Sequence, residues 1–215
     1  MAVTSNTLIG KTRGSIGGVT FSSWKGLNVA KSKPTSVANP RTPGQVTNRL
    51  ILAFTVALFR QAPSIFNVGF IQQAIVQSAF NAFVAANILN GAIIGDATEA
   101  EFDPQNFEPA KGTMAQTPIT GGIADFSLKS VTLTFATTPL GDQTALDIPI
   151  AIVTTHAGLV LGFTRSTAGR AEGEIDIATP GMPSVGTMVH AYLFFYNAGT
   201  RKVSNSIRLG TAVVA

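Results

Sequence analysis

From Ser127 onward the apolar residues keep a period of two, and no other feature constrains the fold of this chain as much. "SVTLTFATT" sets Val131, Leu133 and Phe135 on one side, and "LDIPIAIVTT" does the same with Ile148, Ile150 and Ile152. "GLVLGFT", "GEIDIAT", "MVHAYLFFYN" and "SNSIRLGTAVV" follow, separated by Gly, Pro, Asn or Asp. Six or seven short strands in roughly 90 residues predict an immunoglobulin-like β-sandwich over 127–215. Val131, Leu133, Ile150, Ile152, Ile175, Ile177, Leu193 and Phe195 are its expected interior. "MVHAYLFFYN" is apolar at odd and even positions alike, which suits a central strand.

Upstream the period changes to that of a helix. Thr42-Pro43-Gly44-Gln45 reads as a helix start, with Pro43 in the first position and Thr42 and Gln45 capping each other. The spacing predicts a helix over 43–61, stopped by Pro63, and a second over about 70–90. They are expected to pack as an antiparallel pair around Leu50, Phe54, Leu58, Ile75, Phe83 and Leu89. Both are apolar on more than one face, so a sheet or another subunit must cover the rest. The fold class is therefore α+β. An N-terminal basic arm with a β-hairpin (1–43) leads into a segment of two apolar helices (44–95), an acidic linker (96–126) and the sandwich (127–215).

The arm carries the second constraint. "GSIGGVTFSSWKGLNVAKSK", residues 14–33, reads as strand, turn and strand, with Lys25-Gly26 at the turn. A lone hairpin is marginal in water, so it must dock on its own body or on a neighbour, and Trp24, the only tryptophan, can anchor it. Pro34, Pro40 and Pro43 hold the following stem extended. Residues 1–95 contain eight basic side chains and no Asp or Glu, a charge of +8; residues 96–215 set seven bases against eleven acids, −4, and the sum is the net +4. Between Gly91 and Phe126 periodicity fails and Asp96, Glu99, Glu101, Asp103 and Glu108 gather. That stretch is either a solvated loop or a contact for a basic arm.

Chemistry is conspicuous by the motifs that are missing. Without cysteine there is no disulfide or thiolate site. His156 and His190 lie 34 residues apart with no metal-ligand spacing, so no metal is expected and His190 reads as a satisfied strand histidine. There is no G-x-S-x-G elbow and no phosphate loop; "GSIGG" precedes a strand, not a helix. Glu172 and Glu174, beside Arg170, read as a solvated strand face. No catalytic residue and no cofactor is expected, so the chain is not read as an enzyme. The N-terminus lacks the apolar core of a signal peptide, so export is not expected. "LILAFTVALF" is only about half a bilayer span, so no membrane span is expected.

"GSIGGVTFSSWKG", "NPRTPGQVTNR" and "HAYLFFYNAGTRKVSNSIRLG" together resemble a family of unknown function, of about this length, encoded in bacterial genomes and in phage and prophage regions. The resemblance implies a phage or mobile-element context and an immunoglobulin-like C-terminal domain, and it lends no catalytic residues. Only 12% of residues are charged while 45% are hydrophobic, which points to apolar surface covered by partners. The expected function is that of a non-enzymatic, self-assembling structural protein. It would be a virion component (tail, capsid-associated or filament subunit), assembled in the host cytoplasm as a head-to-tail homo-oligomer, with other virion proteins as further partners. Phe21, Trp24, Lys25, Lys31, Lys33 and Arg41 of the arm would meet Glu99, Glu101 and Asp103 of the next copy. Two alternatives stand beside it: nucleic-acid binding through the basic half, and a cell-surface adhesin or filament subunit.

Overall fold

The computed structural model describes residues 2–4, 13–24, 27–34, 36, 39–167 and 169–214, and the chain forms two compact units, Met1–Arg41 and Thr42–Ala215. In the first unit, β1 (Ala2–Thr4), β2 (Gly14–Ile16), β3 (Val19–Trp24) and β4 (Leu27–Ser32) form an antiparallel sheet in the order β1-β4-β3-β2. β3 and β4 pair from Val19↔Ser32 to Trp24↔Leu27, which leaves a two-residue hairpin connection. β2 and β3 are joined by Gly17-Gly18, and Gly17 takes φ +56°, as a primed hairpin turn requires. Both edge strands are three residues long, which limits further edge pairing.

The second unit opens with three α-helices, not two: α1 (Pro43–Gln61), α2 (Pro63–Gly69) and α3 (Ala79–Leu89). Pro43 does take the first position of α1, but Thr42 makes no side-chain cap bond. Residues 42–45 are exposed, so water satisfies the first amides there. Pro63 ends α1 and also begins α2, because its missing N–H costs nothing in a first turn. A helix over 70–90 does not form. Gly69 ends α2 against the backbone of Pro109 and Ala110, where a Cβ would collide with the Pro109 carbonyl. Gln72 then turns its carboxamide oxygen to the amides of Thr113 (3.1 Å) and Val203 (2.9 Å), tying the chain to the sheet. The next helix waits for Ser78, whose Oγ accepts from the Asn81 amide at 3.1 Å. The expected helix pair is therefore corrected at two positions: Ile75 and Leu89 are 86% and 84% exposed. Leu58 and Phe83 are buried, and Leu50 and Phe54 half-buried.

Next come the hairpin β5 (Ile93–Gly95) and β6 (Ala100–Phe102), then β7 (Ile119–Asp125), β8 (Ser130–Phe135), β9 (Ile148–Thr155), β10 (Val160–Arg165), β11 (Glu174–Ala178), β12 (Met188–Asn197), β13 (Lys202–Val203) and β14 (Ile207–Val214). Eight strands form one sheet on the path β10-β9-β12-β14-β7-β8-β11, with β13 beside β12. β14 joins its two halves: residues 207–212 pair antiparallel with β12, and Val213-Val214 pair parallel with β7. The ends of the path return to each other at Gly162 of β10, where a Cβ would collide with the Ala178 carbonyl of β11. The sheet is nearly closed, and the protein is mixed α and β with sheet predominant.

Two cores share the central strands. Val131, Leu133, Ile175, Ile177, Leu193 and Phe195 fill the space inside the sheet. Ile150 and Ile152, expected with them, point the other way. The inner face of β9 is Ala151 and Val153, whereas Ile150, Ile152, Tyr192 and Phe194 pack against the helices. Strands apolar on both faces thus have a layer on each side. The helical core is aromatic: Phe83 lies 5.3 Å from Phe59, 4.6 Å from Phe66 and 5.6 Å from Phe70, ring centre to ring centre. No single helix among the described residues is long and apolar enough to cross a membrane.

Candidate assembly surfaces

The arm sheet has two faces and little to fill either. Residues opposite each other in an antiparallel pair share a face, so Ile16, Val19, Phe21 and Ala30 lie on one side and positions 24, 27, 29 and 31 on the other. Ile16 is 69% and Leu27 50% exposed, and Phe21 is half-buried. Val29 is the one buried apolar side chain among the described residues of this unit. Lys31 and Lys33 are exposed; the Lys33 amide donates to the Gly18 carbonyl at 2.7 Å and closes the hairpin base. Arg41 is exposed with φ +48°. Trp24 ends β3, but its side chain and the whole of Lys25 lie outside the described residues.

The acidic stretch is built, not loose. Asp96 accepts from the Thr98 hydroxyl and from the amides of Thr98 and Glu99, which holds its carboxyl below the usual range and fixes the β5–β6 turn. Asp103 is committed to its own loop, through the Gln105 amide and the Asn106 carboxamide, both at 2.8 Å. The buried Asn87 bonds both backbone groups of Glu108, and the Tyr192 hydroxyl donates to the Pro104 carbonyl at 2.8 Å. Phe107 is buried between them. Glu99 and Glu101 remain, and they come together on the rim of a cleft of about 450 Å³. Its floor is Phe54 of α1 and Phe102 of β6, stacked with centres 6.3 Å apart. His156 and Ala157, in the β9–β10 turn, form the far wall. Gln61 holds that turn to α1, accepting from the Val160 amide (2.8 Å) and donating to the Gly158 carbonyl (3.3 Å).

Two clusters escaped the sequence. His156 Nδ1 and His190 Nε2 are 3.3 Å apart, and Arg208 donates to His190 Nδ1 at 3.1 Å. Because arginine only donates, Nδ1 is bare and Nε2 carries the proton toward His156. Burial lowers the His190 pKa, and Arg208 and His156 lower it further, against Asp103. A metal on His190 Nε2 would put the proton on Nδ1, facing Arg208, so this pair is a structural relay and not a ligand set. Among the described residues no group of three or more His, Cys, Asp or Glu could hold a metal.

The other cluster is built on Arg170, next to Glu172 and Glu174, which are both exposed. Arg170 is fully buried in a 3-10 turn (Gly169–Glu172), with Nη2 3.6 Å from Asp147 and its guanidinium 4.1 Å from the Phe195 ring centre. Glu172 stays in that turn and only Glu174 enters β11. Periodicity cannot reveal such a pair, since the partners are 23 positions apart and neither follows a motif.

Residues 11–210 match a family described as "Family of unknown function (DUF6266)". No curated protein and no solved structure matches the chain.

Proposed function

The chain belongs to the DUF6266 family, whose function is unknown, and we propose that it is a non-enzymatic structural protein that assembles with copies of itself through residues 1–41. The observation that carries this is the state of the arm. A four-stranded sheet in a unit of 41 residues, with a single buried apolar side chain among those described, is too small to hold itself together without a partner surface. Its charge is complementary to the body's: residues 1–41 hold six bases and no acid, +6, and residues 42–215 nine bases and eleven acids, −2. The exposed Lys31, Lys33 and Arg41, with Lys25, then face Glu99 and Glu101 of the next copy, and Asp103 adds to the field. Individual exposed pairs contribute about 0–1 kcal/mol, so they set register while apolar contact holds the joint. Different surfaces meeting head to tail close into a ring or run on as a filament. In its most specific form the role is that of a virion component, the context implied by the family resemblance.

The body's finer class is an immunoglobulin-like sandwich. Its support is strand order: with β7, β8, β9, β10, β11, β12 and β14 taken as A, B, C, C′, E, F and G, one half is A-B-E and the other C′-C-F-G, as in that fold. The test of function is mass in solution by light scattering, for the full chain and for the chain lacking residues 1–43. An oligomer that becomes a folded monomer on deletion supports the assembly arm. An unchanged oligomer, or a monomeric full chain, refutes it.

A further inference from the structure

We propose, building on the assembly reading, that the cleft between α1, β6 and the β9–β10 turn is the seat for the β3–β4 hairpin of a second copy of this chain. The cleft dictates its occupant. Its floor is two stacked phenylalanines, its near rim two carboxylates that accept no hydrogen bond among the described residues, and its volume, about 450 Å³, suits large side chains. An aromatic floor selects an apolar or aromatic group, and Glu99 and Glu101 require a cation beside it and repel phosphate. That excludes a nucleic acid or an anionic lipid surface.

The hairpin offers that combination. Its register sets Leu27 and Lys31 on one face, on either side of the buried Val29. Leu27 is half exposed and Lys31 is exposed, and the first 95 residues bring no carboxylate to oppose the rim. Leu27 opens β4 beside the turn, where it can reach the Phe54–Phe102 floor while Lys31 meets the rim. Gly158, with φ +80°, keeps the floor open: a Cβ there would stand 3.0 Å from Phe102 and 3.1 Å from Phe54.

The cysteine-free chain permits a direct test. Leu27→Cys and Ala157→Cys are made in separate full-length chains, one isotopically heavy, mixed under assembling conditions and oxidised, and the disulfide-linked peptides are identified by mass spectrometry. The seat predicts a mixed Leu27→Cys/Ala157→Cys disulfide well above its random proportion, reduced when the Ala157→Cys chain also carries Glu99→Lys and Glu101→Lys. An oligomer with only the random proportion overturns the seat and leaves the assembly reading standing. A doubly substituted chain that closes on itself while monomeric also overturns the second-copy occupant. A chain that is monomeric at every concentration overturns both.

Discussion

Replacing Asp147 should destabilise the body more than replacing the arginine it faces, because the two leave different debris. Asp147 and Arg170 are both fully buried. The carboxylate accepts from the Asn197 carboxamide (2.7 Å), the Thr144 amide (2.8 Å) and the Thr144 hydroxyl (2.9 Å). The guanidinium reaches only the Thr117 hydroxyl (2.6 Å) and the Ala136 carbonyl (3.3 Å), and its Nε and Nη2 have no hydrogen-bond acceptor. Asp147→Ala therefore leaves a poorly satisfied cation in the core, a cost of about 3–5 kcal/mol. Arg170→Met leaves an anion with three donors and fills the space beside Phe195, and about 1–3 kcal/mol is expected. The double variant should cost less than the sum, since no unpaired charge remains. Urea and thermal unfolding followed by circular dichroism measure all three, with Asp147→Ala lowering Tm by roughly 6–20 °C for a body of this size. If Arg170→Met costs as much as Asp147→Ala, or if the two effects simply add, the charge argument is wrong.

Three further outcomes are expected. Phe83→Ala, at the centre of the ring cluster, should cost about 3–5 kcal/mol, whereas Ile75→Ser should change stability by no more than about 0.5 kcal/mol; equal losses in urea titrations would contradict the corrected helix boundaries. His190 has a pKa below its ordinary 6.5, so the unfolded chain binds more protons, and stability should fall as pH drops below about 6.5 toward the folded value. His190→Gln should flatten that slope between pH 5 and 8, and an unchanged slope would discount the histidine relay. Gly162→Ala should cost about 1–3 kcal/mol by forcing β10 from β11, while Gly44→Ala, with open space around it in α1, should gain about 0.5–1 kcal/mol; the reverse order would deny that the sheet closes at Gly162.

Alternation made the strands after Ser127 legible because one or both faces are buried along most of their length. β7 was not legible, since "ITGGIAD" carries two glycines and only Ala124 buried. The face of β9 was also out of reach: where both sides are apolar, sequence cannot say which meets the other sheet and which the helices. Helix α1 was readable from Pro43 and Pro63, but the break at 70–78 depends on Gln72 reaching Val203, 131 positions away. Within the cleft, the acids and Phe54 were visible as residues. Their meeting with His156 depends on the Gln61 bonds across nearly 100 positions, which no local pattern encodes.

The position of β14 fixes when this body can become native during synthesis. It is the last strand in chain order, and it alone bridges β12 to β7. Until it leaves the ribosome, the two halves of the sheet have no common member, and both apolar faces of β12 stand incompletely covered. The arm hairpin has only local pairs to make, yet no surface to hold it at that stage. The body must instead wait for β14, with both apolar faces of β12 incompletely covered until then. A nascent chain stalled before Ile207 should therefore be held by chaperones rather than resist protease.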